Sequence, residues 1–95
     1  MSNSAVVIGR LSVFKDEPGL YRYALTCEGQ AIFDGDGYSS IREAIEAGSD
    51  LTGPITALEV AYGGVTAGTF TLQRIRVSAE EVAQHAVDTY AAVLS

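Results

Sequence analysis

The chain has 95 residues, 47% apolar and 19% charged, and its twelve acidic against six basic residues give a net charge of −6. That length holds a single domain, residues 1–95, with one core that buries only somewhat more than about 60% of the surface exposed on unfolding. An acidic surface repels phosphate backbones, so no direct nucleic-acid partner is expected, and no run approaches the ~20 apolar residues that cross a bilayer.

Met1 to Ser4 read as a disordered tail. The run "AVVIGRLSVF", Ala5 to Phe14, is apolar and β-branched, with Val7, Leu11 and Val13 in one phase and Val6, Ile8 and Phe14 in the other. Apolar residues in both phases predict a strand covered on both faces near its start, or one that pairs at an interface. In "KDEPGL", Pro18 pre-sets φ for the second turn position and Gly19 supplies a positive φ at the third, so a type II turn folds the chain back.

Leu20 to Cys27 alternates, with Tyr21, Tyr23, Leu25 and Cys27 on one face. Cys27 is the one cysteine, so no internal disulfide forms; a small buried hydrophobe in a reducing, cytoplasmic setting is expected. Glu28-Gly29 reads as a tight turn, "QAIF" as a short third strand, and Asp34-Gly35-Asp36-Gly37 as the turn that ends it. Ser40 with Glu43 forms a capping box, which predicts a helix from Ile41 to about Ala47 with Gly48 as its left-handed C-terminal cap.

"ITALEVAY" alternates, and Gly63-Gly64 marks a hairpin. Keeping apolar groups on one face sets Leu58 opposite Phe70 and Val60 opposite Gly68, which favours a three-residue loop, Gly63 to Val65. After Leu72 the phase changes, which predicts a bulge before Ile75 and Val77 resume the strand. Ser78 to Glu81 is a second capping box, with Val77 and Val82 as a hydrophobic staple, and it opens a helix from Ala79 to Leu94. The order β-β-β-α-β-β-α predicts an α+β fold: an antiparallel sheet of about five strands with two helices packed on one face. Each half is a hairpin followed by a capped helix, a twofold echo without a strict sequence repeat.

Tests for chemistry are mostly negative. In a twelve-residue calcium loop begun at Asp34, Tyr38 stands where an oxygen ligand belongs and Ile45 replaces the closing glutamate. Carboxylates interleaved with glycine repel a phosphate. His85 sits between Glu81 and Asp88 on a helix and reads as a solvated side chain. No catalytic, cofactor-binding or metal-binding residues are assigned, and no enzyme activity is expected. The residues placed to meet a partner are Asp34, Asp36, Tyr38, Arg74 and Arg76, the last two sharing a strand face.

Gly19, Tyr21-Arg22-Tyr23, Leu25, Gly29, Ile32, Gly37-Tyr38-Ser39-Ser40 and the helix ending at Gly48 carry a resemblance, over residues 13–48, to the YegP-like family of small uncharacterised domains. The resemblance implies a three-stranded meander leading through a Gly-Tyr-Ser-like turn into one helix, in units that occur in tandem or as dimers. It implies no catalytic residues. The chain departs from that pattern with Glu28-Gly29 in place of Asn-Gly and an aspartate pair before the Gly-Tyr turn.

The functional expectation is a bacterial, cytoplasmic, non-catalytic protein-interaction module that forms a homodimer. The alternative is a small acidic, phage-type inhibitor that presents carboxylates to a basic nucleic-acid-binding protein, with Asp16, Glu17, Glu28, Asp34 and Asp36 on one surface.

Overall fold

The computed structural model describes residues 7–50 and 54–94; the expected tail, Ala5 and Val6, and part of the loop before the fourth strand lie outside them. Seven elements follow in order: β1 (Ile8–Glu17), β2 (Leu20–Cys27), β3 (Gln30–Tyr38), α1 (Ile41–Ser49), β4 (Ala57–Tyr62), β5 (Val65–Thr71) and α2 (Leu72–Leu94). The fold is α+β, with one five-stranded sheet in the order β3-β2-β1-β4-β5.

The sheet is mixed, where an antiparallel one was expected. Each hairpin is antiparallel, but β1 and β4 lie side by side in parallel, Leu11 opposite Val60 and Val13 opposite Tyr62. A parallel pair needs a long crossover, and β2, β3 and α1 supply it. The echo between the halves is one of element order alone. An axis along the strands that exchanged β1 with β4 would put the two helices on opposite faces, and here they share one.

That helix-covered face holds the core. Leu11, Val13, Tyr23, Leu25, Leu58 and Val60 point from the strands toward Ile45 of α1 and Ile75 and Val82 of α2, all at most 4% exposed. Fully burying each large aliphatic group stabilises the fold by roughly 1.5–3 kcal/mol, which holds a nine-residue helix such as α1 in place where its own propensity would not.

The first turn is as expected, Gly19 taking φ of 78° beside Pro18. The capping box of α1 also forms: Ser40 Oγ accepts from the Glu43 amide at 3.1 Å, and the Glu43 carboxylate receives the Ser39 hydroxyl and amide at 2.8 and 3.1 Å. Glu43 thus reaches one residue past the cap.

Several boundaries differ from expectation, the first being β1, which runs to Glu17 instead of ending at Phe14. β3 continues through Asp34 to Gly37 instead of ending at Phe33. Tyr38 pairs with Tyr21 and Gly35 with Tyr23, so Asp36 and Gly37 bulge, and Gly37 takes the positive φ of 84°. Helix α1 runs on to Ser49, with Gly48 inside it; Asp50 is the cap, its amide reaching the carbonyls of Glu46 and Ala47. Gly48 lets α1 approach the sheet closely and is no left-handed stop.

The β4–β5 register is as expected, Leu58 opposite Phe70 and Val60 opposite Gly68, but the loop is the two-residue one. Gly63 and Gly64 at φ of 59° and 86° make the turn, and a bulge at Ala67 absorbs the extra residue. Residues 72–77 are helical and not strand. Thr71 Oγ1 accepts from the Arg74 amide at 3.1 Å, capping α2 seven residues upstream of Ser78, the cap expected from sequence. Leu72, Ile75, Ala79 and Val82 are then buried at helical spacing. Ser78, at φ −134° and ψ 44°, marks a kink rather than a start. The expected staple is absent: Val77 is 77% exposed, while Val82 is fully buried.

Candidate functional site

Alternate residues of every strand point away from the helices onto a face that no described element covers. Ser12 stands at its centre, opposite Ala24 on β2 and Ala61 on β4; Ala24 in turn faces Asp34, and Ala61 faces Thr66. A row of small side chains therefore crosses all five strands. Longer groups wall it on both sides. Arg10 pairs with Glu59 and donates to Thr66 Oγ1 at 3.3 Å; Arg22 Nε donates to Asp16 Oδ1 at 2.8 Å, with its guanidinium 4.4 Å from the Phe14 ring centroid. Ile8, at the start of β1, is 49% exposed on this face. The outer side of β1, expected to be covered near its start or to pair at an interface, is not covered by any described element.

Of the two edge strands, β3 and β5, the first is the more apolar on its exposed side. It carries Ile32 and Phe33, 43% and 52% exposed, and it is interrupted by bulges at Ile32 and at Asp36-Gly37. Bulges and carboxylates on an edge discourage pairing with a foreign strand. Asp34 and Asp36 line one concavity of about 370 Å³ with Arg22 and Tyr23, and neither carboxylate makes an ion pair among the described residues.

The sequence-predicted contact residues do not form one patch. Tyr38 turns inward, its ring centroid 5.8 Å from that of Tyr23, and the two rings close over Gly35. Burial, reinforced by the neighbouring Tyr38 and Asp34 as potential anions, raises the Tyr23 phenol above its ordinary 10.0. Arg74 and Arg76 share no strand face, because both lie on α2. Two residues apart on a helix, they point different ways. Arg74 Nη2 lies 3.8 Å from Glu81 Oε1, whereas Arg76 borders a cleft with Glu46 and Asp50.

The acidic set proposed for a basic partner is likewise divided. Asp16 and Glu17 close β1 at one end of β2, Glu28 turns the chain at the other end, and Asp16 is held by Arg22. His85 is exposed, but not merely solvated. Its Nε2 lies 3.2 Å from the Ala67 carbonyl, at the bulge in β5, and its ring stands edge-on to Phe70. Cys27 is half-buried, its thiol 3.9 Å from the Ile8 carbonyl.

Among the described residues, no group of three or more His, Cys, Asp or Glu side chains is placed to hold a metal ion, and no helix is long and apolar enough to cross a membrane. Sequence reasoning missed the Phe14–Arg22 and Arg10–Glu59 arrangements, since both depend on which strands become neighbours. Comparison of the chain with protein-family models, with curated proteins and with solved structures finds no match.

Proposed function

We propose that the chain is a non-catalytic protein-interaction module that self-associates through the uncovered face of its sheet. The observation that carries this reading is the placement of both helices on one face, which leaves Ile8 exposed and Ser12 and Ala24 half-exposed on the other, while Ala61 in the same row is already buried by its neighbours. A second copy is the favoured occupant on charge. Arg10 is matched by Glu59 and Arg22 by Asp16 within the face, so two such faces approach without the repulsion that the net −6 otherwise imposes. The resemblance to the YegP-like family, whose units occur as tandems or dimers, points the same way, and the free thiol of Cys27 suits a cytoplasmic setting.

Five strands at ~4.8 Å spacing and about six residues at ~3.3 Å give a footprint on the order of 500 Å² per partner, below the ~800 Å² of a standard interface. The dimer is therefore weak and reversible. Light scattering after size exclusion, from about 1 to about 500 μM, tests it, since that span brackets micromolar dissociation constants. The weight-average mass rises toward that of a dimer; a mass that stays monomeric throughout would sink the reading. The inhibitor reading draws support from Asp34 and Asp36 alone.

A further inference from the structure

Where β4 stops opposite Val13 and β1 runs on to Glu17, the end of the sheet carries a half-open cavity of about 490 Å³. Its apolar part is aromatic. Tyr62 and Tyr90 meet edge to face with centroids 4.9 Å apart, and Phe14 lies on the opposite rim beneath the Arg22 guanidinium. The Gly63-Gly64 turn forms a third side with no side chain. Both glycines have positive φ, and a Cβ at Gly63 would run into the Tyr90 ring. The Gly63 amide is fixed on the Val13 carbonyl at 3.0 Å, which ties the turn to β1 and holds this wall in place.

Lys15 supplies the charge. It lines the cavity and makes no ion pair among the described residues, whereas Arg10, Arg22, Arg42 and Arg74 are each matched by a carboxylate. Arg22 is neutralised by Asp16 and acts here as a flat wall. The contrast with the cleft beside His85 is instructive. That cleft is of similar size, about 450 Å³, but its polar groups are matched among themselves: Arg74 to Glu81, Gln84 to Asp88, His85 to the Ala67 carbonyl.

We propose that the cavity bordered by Tyr62, Tyr90, the Gly63-Gly64 turn and Lys15 binds a small planar aromatic compound bearing an anionic group, the ring lying against the tyrosines and the turn and the anion meeting the Lys15 ammonium. Flat rings gain from offset or edge contacts with the tyrosines, and an ammonium with no carboxylate partner among the described residues is the element that selects for negative charge. This site is separate from the proposed self-association, although Phe14 and Arg22 border both surfaces.

The test is amide-resolved NMR titration of the full chain with four probes: benzoate, adenosine monophosphate, benzamide and inorganic phosphate. Saturable shifts at Lys15, Gly63 and Gly64 are expected with benzoate or adenosine monophosphate. Binding of benzamide, which lacks the charge, and of phosphate, which lacks the ring, is weaker by about tenfold or more. A response to benzoate alone assigns a carboxylate ligand, and a response to adenosine monophosphate alone a nucleotide. Lys15→Gln weakens binding of the responding probe by about tenfold and Lys15→Arg largely restores it, with melting temperatures unchanged because the side chain is exposed. Absence of a saturable shift for both ring anions up to about 10 mM would overturn the proposal. So would equal binding of benzoate and benzamide, or an undiminished affinity in Lys15→Gln.

Discussion

Gly48 of α1 sits so close to Leu11 of β1 that a Cβ at position 48 would overlap Leu11 Cδ1 and come within 3.2 Å of Tyr23 Cδ1. Both neighbours are buried, at 0% and 4% exposed, so neither can swing aside into solvent. In an isolated helix an alanine here would be favoured by roughly 1 kcal/mol. Overpacking a full core costs about 1–3 kcal/mol, so after the propensity gain Gly48→Ala is expected to lower stability by up to about 2 kcal/mol, measured by urea denaturation. A stabilised variant would show that α1 is free to lift off the sheet.

The same contact explains why Gly48 was misread from sequence. A glycine near the end of a helical stripe marks a left-handed cap or a close approach equally well, and the choice depends on what packs beneath it. Local chemistry was legible: Pro18-Gly19 and Ser40 form the turn and the cap their side chains demand. The Leu58–Phe70 register was legible too, because only one pairing keeps the apolar groups on one face. The parallel β1–β4 pairing was not, since alternation says which face a strand buries and nothing about its neighbour. Arg74 to Val77 alternates like a strand while Leu72, Ile75 and Ala79 keep helical spacing, and the Thr71 cap decides between them. The site suffered most. Asp34 and Asp36 were recognisable as exposed acids, but the small-residue row and the aromatic cavity join residues from strands far apart in sequence.

The start of α1 gives a paired prediction. Ser40→Ala removes the acceptor for the Glu43 amide and is expected to cost about 1 kcal/mol, read by thermal or urea unfolding. Glu43 adds a pH dependence. Hydrogen bonds from the Ser39 hydroxyl, then from the Ser39 amide, hold its carboxyl below the ordinary 4.5. A folded-state value below the unfolded one means that the ionised form contributes stability above about pH 4.5, and the contribution is lost as pH falls through the lower folded value. Wild type is therefore more stable than Glu43→Gln near neutral pH, and the difference shrinks as the pH falls through that window. A difference independent of pH would assign the effect to packing.

Self-association through the open face predicts a clean separation of assembly from stability. Ala24 lies in the small-residue row, half-buried by its neighbours. Ala24→Arg places a long cation on a surface that must lie flat against its copy. Light scattering of this variant is expected to stay at the monomer mass at concentrations where wild type shifts. Unfolding under dilute conditions should change by no more than about 0.5 kcal/mol, as for a surface substitution. A variant that still dimerises would move the contact off this face.

Two buried tyrosines should ionise late. Tyr23 and Tyr62 are 4% and 8% exposed, and burial raises both phenols above 10.0. For Tyr62 the neighbouring Tyr21 and Tyr90 add to the shift, since each would be a like charge once ionised. A raised folded-state value gives stability that is fully present below pH 10 and lost as the pH climbs through the folded value, because the unfolded chain releases those protons first. Absorbance at about 295 nm, where phenolate absorbs, should show two tyrosines lagging the ordinary value of about 10, with cooperative unfolding setting in as they ionise. Substituting Tyr90 by Phe keeps the ring that fills the Gly63 side while removing its hydroxyl. That change should bring the Tyr62 transition to lower pH and leave the Tyr23 transition, raised by burial and then by Tyr38 and Asp34, where it was.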